Sequence, residues 1–144
     1  MTRLNTTLMA AAAFVVAAGI ASAQTMEANI PFAFHAGGKA LDAGTYRVLV
    51  ERSEAGNSTM IVSGGHGKQL LTFLYPSGNA KAAWVSAGNA VLSFQCSEGR
   101  CTLANVWMGS EGETVYRVAS PKTHGGAAVT TAEVVLHPVR NDGE

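Results

Sequence analysis

The sequence predicts an all-β protein: a single antiparallel β-sandwich, jelly-roll-like fold or barrel, following an N-terminal export signal. Three observations carry this expectation. Short apolar or alternating runs are separated by Gly, Asn, Ser and Pro at intervals of roughly 8–12 residues, the spacing of sandwiches and barrels. No stretch after the first two dozen residues sustains a helical period. Finally, Cys96 and Cys101 bracket a polar turn, as the facing positions of a hairpin would.

The N-terminus has the three parts of a secretory signal, a segment expected to be helical. Arg3 makes the positive region, an apolar run extends from Leu8 to Ile20, and Ala21-Ser22-Ala23 supplies small side chains before a cut between Ala23 and Gln24. The run is shorter than the roughly 18 residues of a membrane span. Gln24, not a cysteine, stands at the cleavage point, so a lipid anchor is not expected. The sequence therefore divides into a cleavable signal (1–23), one β-domain (24–140) and a frayed polar tail (141–144). Export places the chain in the periplasm or outside the cell, where oxidation favours a Cys96–Cys101 disulfide.

Ten basic residues balance ten acidic ones. That balance, without basic clusters, excludes the phosphate-neutralising surface nucleic acids demand. About 120 mature residues can bury one core. No further run is long enough to cross a bilayer, so no membrane span is expected in the mature chain.

The elements follow in order. Ala28 to Phe34 places Ile30, Phe32 and Phe34 at period two, with Pro31 predicting an edge strand or a strand start. Gly37-Gly38 turns the chain. Asp42 and Gly44 suit a tight turn before a strand on which Tyr46, Val48 and Val50 share one face and Arg47, Leu49 and Glu51 the other. Strands are expected from Thr59 to Val62 and from Lys68 to Tyr75, the latter ended by Pro76-Ser77-Gly78-Asn79. A further short strand, Lys81 to Ser86, carries Trp84. Ala90 to Cys96 and the run from Cys101 form a hairpin around a four-residue loop, Ser97-Glu98-Gly99-Arg100. Counting outward pairs Phe94 with Leu103 and Ala90 with Trp107, all on one inward face. Thr114 to Val118 and Thr131 to Leu136 complete the set.

Chemistry is sparse. His35, His66, His124 and His137 lack the short spacings of common metal motifs. Gly64-Gly65-His66-Gly67-Lys68 lacks phosphate-loop spacing and reads as a turn. Glu51 with Glu54 and Glu111 with Glu113 read as solvated surface. No catalytic residue, metal or cofactor is implied, and the chain reads as non-enzymatic. Trp84, Tyr75 and Tyr116 are candidate ligand-stacking residues, against the reading that aromatics of a small β-domain build its core.

One resemblance accompanies these readings. Pro31-Phe32-Ala33-Phe34, then Gly37-Gly38-Lys39, then Leu41-Asp42-Ala43-Gly44-Thr45-Tyr46-Arg47-Val48, resembles the PFxF…GxxxLPAGxYxV opening of a family of uncharacterised small secreted bacterial proteins. Leu92-Ser93-Phe94 and the run from Cys101 to Trp107 resemble that family's later LxxVW strand. Asp42 replaces the usual proline, and the cysteine pair replaces ordinary cross-strand residues. The resemblance implies an exported β-sandwich-like domain and brings no activity and no site residues. The leading expectation is an interaction or structural protein of the envelope or exterior, acting through a surface or an exposed edge strand at Pro31, with another envelope protein or a glycan as partner. A carbohydrate- or small-ligand-binding module comes second, and an enzyme with a composite site third.

Overall fold

The computed structural model describes residues 25–65, 67–109, 114–119 and 129–139, so the expected signal and its expected Ala23–Gln24 cut, His66, His124, Glu111, Glu113 and the C-terminal tail lie outside the described residues. Ten strands and one short helix follow in chain order. They are β1 (Thr25–Ile30), β2 (Phe34–Ala36), β3 (Lys39–Leu41), β4 (Gly44–Arg52), β5 (Ser58–Gly64), β6 (Gln69–Asn79), α1 (Ala82–Ala87), β7 (Ala90–Ser97), β8 (Arg100–Trp107), β9 (Thr114–Val118) and β10 (Thr130–Pro138).

The strands run β8-β7-β10-β1-β4-β5-β6-β9, and β9 returns to pair with β8, closing an eight-stranded barrel. Every pairing is antiparallel except that of β2 with β8, which is parallel beside Cys101 and Thr102; β2 carries β3, antiparallel, at its outer edge. Of the expected architectures, the barrel is the one formed. Eight strands leave a lumen just wide enough for side chains to fill. Ile30, Val48, Met60, Leu92, Phe94, Leu103, Val106 and Leu136 fill it, each almost wholly buried. Phe34 joins this core with its ring edge-on to Tyr46 (5.3 Å) and Phe94 (5.4 Å), and Phe32 meets Phe94 at 5.0 Å. Strand alternation accounts for the sorting, since Tyr46 and Val48 face in while Arg47 and Glu51 face out. No helix among the described residues is long and apolar enough to cross a membrane.

Four expectations need correction. Pro31 does not mark an edge strand. β1 ends at Ile30, just before it, and pairs with β4 along its length and with β10 at Met26 and Glu27. Pro76 does not end β6, which runs on to Asn79 through an irregularity between Pro76 and Gly78. Beyond Leu74 this strand has left β5 and pairs with β9 alone, an edge-like setting that tolerates a missing N–H. The segment carrying Trp84 is the helix α1, not a strand. Six residues are too few for periodicity to tell the two apart.

The fourth correction concerns the cysteine hairpin. The disulfide is formed, with Cys96 and Cys101 opposite each other and their Cα atoms 4.0 Å apart. The loop is shorter than expected, because Ser97 pairs with Arg100 and the turn is only Glu98-Gly99. Both turn residues have positive φ, 53° and 76°, the tight type I′ arrangement in which glycine suits the second position. Phe94 faces Leu103 as counted, but a bulge between Ser93 and Phe94 adds one residue on β8. Trp107 therefore pairs with Val91, not Ala90, and turns to the outside of the barrel.

Candidate functional site

The bulge that turns Trp107 outward creates a second, smaller apolar cluster on the barrel's outer wall. Val91 on β7, Trp107 on β8 and Val115 on β9 lie there, and α1 lays Trp84 over them. The two indoles stack with centroids 6.3 Å apart at 21°. Trp84 is only 6% exposed, so it offers no ring face for a ligand to stack upon. It belongs to a lid closed on the chain's own side chains.

Tyr75 and Tyr116 behave differently. Tyr75 projects outward from β6 and is 50% exposed, opposite Arg117 of β9. Tyr116 is the next β9 residue, so its ring turns toward the interior and packs against the core. Its hydroxyl accepts a hydrogen bond from Arg52 Nη2. The two tyrosines line one open cleft of about 400 Å³ with Arg52, Asn57, Phe73 and Pro76. The three candidate stacking residues thus do not form a single platform, although two of them share a cleft.

Tyr75 is also the end of a longer feature. On β6, Leu70, Thr72 and Leu74 are buried, while the alternating Leu71, Phe73 and Tyr75 are exposed by 60%, 55% and 50%. The register sets Ile61 of β5 beside Leu71, Leu49 of β4 beside Ile61, and Thr59 beside Phe73. The outer wall at β4–β5–β6 therefore carries an apolar row that no described element covers. Sequence reading overlooked Leu71 and Phe73. The signal was there, because Leu70 and Leu74 stand at one strand parity and Leu71, Phe73 and Tyr75 at the other, and only one parity can face the lumen.

A second cleft, of about 210 Å³, opens beside α1 and includes Trp84 and Val115 of the Trp cluster in its wall. Ser77 and Asn79 from the end of β6, Lys81, Trp84, Ser93 and Gln95 of β7, Asn105 of β8 and Thr131 of β10 line it. Cross-strand pairing places these groups together, since Gln95 faces Thr131 and Ser93 faces Asn105. Lys81 pairs with Glu133 at 3.3 Å on the surface and lies 5.2 Å from the Trp84 ring centre.

Among ionisable groups, Tyr46 has its pKa raised above 10.0, by burial first and by the Asp42 charge second. Its hydroxyl donates to the Asp42 carbonyl at 2.5 Å, tying the β3–β4 turn to the core. His35 and His137 lie on β2 and β10, and among the described residues no three His, Cys, Asp or Glu side chains are grouped to hold a metal. No protein-family model, curated protein or solved structure matches the chain.

Proposed function

We propose that the chain is an exported, non-enzymatic interaction domain that meets another envelope or extracellular protein through the outer wall at β4–β5–β6. The observation that carries this reading is the row Leu71, Phe73 and Tyr75, half or more exposed on a strand whose alternate residues are buried. Scattered exposed apolar side chains are ordinary, but a contiguous row marks a contact surface. Its composition suits a protein partner. Two aromatics and a leucine are flanked by Arg117, Thr59 and Gln69, an apolar centre with a polar rim. A Cys96–Cys101 bridge in an oxidising compartment accords with export.

The test is a photo-crosslinking residue placed at position 73 in the exported protein and, as a control, at Val85, which is equally exposed on α1. The reading expects one discrete adduct from position 73 and none from position 85. Equal diffuse labelling from both, or none, would overturn it. An adduct of twice the chain's mass would make the partner a second copy.

A further inference from the structure

We infer that the cleft beside α1 is a binding site for a neutral glycan, separate from the apolar row and independent of it. Its lining chemistry is the first ground. Asn79, Gln95 and Asn105 present amides, and Ser77, Ser93 and Thr131 present hydroxyls. Each of these groups is uncharged and can both donate and accept. A sugar hydroxyl makes the same double demand, whereas an anion needs donors only and an apolar ligand needs neither. The sole charge in the lining, the Lys81 ammonium, is matched by Glu133 at 3.3 Å. The cleft thus holds no uncompensated charge to select an anion.

The second ground is the Trp84 indole. Trp84 is 94% buried by its 6% exposure, and its Nε1 is buried with no hydrogen-bond partner among the described residues. Leaving a buried donor unpaired costs about 1–3 kcal/mol, so such a group calls for an explanation. The residue carrying this donor forms part of the cleft wall, beside Ser93, which is itself only 4% exposed. The volume, about 210 Å³, is below the roughly 300–1,000 Å³ of drug-sized sites and suits one sugar unit of a longer chain. Trp84 thus places a buried, unpaired donor in the cleft wall and is not a stacking platform.

The only two tryptophans of the chain, Trp84 and Trp107, stack beside this cleft, so intrinsic fluorescence reports on it directly. The mature protein is titrated with soluble oligosaccharides of glucan, xylan, mannan and chitin type, and with polygalacturonate as the anionic counterpart. A saturable change in tryptophan emission is expected with at least one neutral oligosaccharide and none with polygalacturonate. Gln95→Leu and Asn105→Leu should each weaken that binding about tenfold through loss of a hydrogen-bonding group. Both should keep the wild-type melting temperature, and the Leu71→Ser/Phe73→Ser/Tyr75→Ser variant should bind normally. The inference is overturned if no neutral oligosaccharide changes the emission, if polygalacturonate binds as well, or if binding survives both leucine substitutions.

Discussion

The outer wall of this barrel carries two apolar regions, and the chain treats them differently. At β7–β8–β9, Val91, Trp107 and Val115 lie under Trp84 of α1 and are 5%, 3% and 7% exposed. At β4–β5–β6, Leu71, Phe73 and Tyr75 stay open, and no described element crosses them. A single short helix was enough to shield the first region. The open row is therefore not an unavoidable by-product of closing a barrel. One apolar face is used in folding, and the other is left available for contact.

The largest expected effect tests the covered side. Trp84→Ala should destabilise the domain by about 3 kcal/mol, at the lower end for a buried tryptophan because the cluster lies on the wall and not in the lumen. Urea unfolding measures it, and a loss below about 0.5 kcal/mol would mean that α1 is not a structural lid.

The next prediction asks where the β4–β5–β6 wall draws its own stability. Gly64 stands opposite Tyr46, and a Cβ there would lie 2.8 Å from the tyrosine ring. Gly64→Ala should cost about 1–3 kcal/mol by forcing the inner face apart. A neutral result in thermal unfolding would show that this wall is less tightly built than its neighbour.

Cys96→Ser with Cys101→Ser removes the bridge from the hairpin that presents Trp107 and Val91. So small a loop contributes about 2 kcal/mol or less, so the domain should remain folded with a lowered midpoint. The unaltered protein should show no alkylatable thiol without reductant; two modified cysteines would refute the bridge.

A smaller effect comes from pH. The Tyr46 pKa is raised in the folded state, so the unfolded chain ionises first as pH climbs past its ordinary value of 10.0. Stability from this residue is complete below that pH and declines as pH rises toward the folded value. Tyr46→Phe should flatten the alkaline decline in unfolding experiments, and an unchanged slope would assign the decline elsewhere.

Much of the fold was legible because strand alternation and turn residues are local signals. Tyr46 and Val48 announce an inward face, and Gly37-Gly38 sits at the β2–β3 turn as expected. What was hidden depends on events that one residue decides. The bulge on β8 has no sequence signature of its own, yet it sends Trp107 from the expected lumen to the outer wall. Trp84 could not be placed until the brief run from Ala82 to Ala87 proved helical and its burial on Trp107 was seen. Closure by β8 with β9 is non-local, and so is the meeting of Ser93, Gln95, Asn105 and Thr131 in one cleft. Tyr75 is half exposed on β6 with Leu71 and Phe73 on the same outward face, an orientation that an apolar run without alternation does not announce.

The most direct test of the two-face account is the smallest expected change in stability. Leu71→Ser, Phe73→Ser and Tyr75→Ser are combined and unfolded in urea beside Trp84→Ala. Substitutions at exposed positions usually stay within about 0.5 kcal/mol each, so the triple variant should keep close to the wild-type midpoint. A midpoint lowered as far as that of Trp84→Ala would contradict the account, because the open row would then belong to the fold after all.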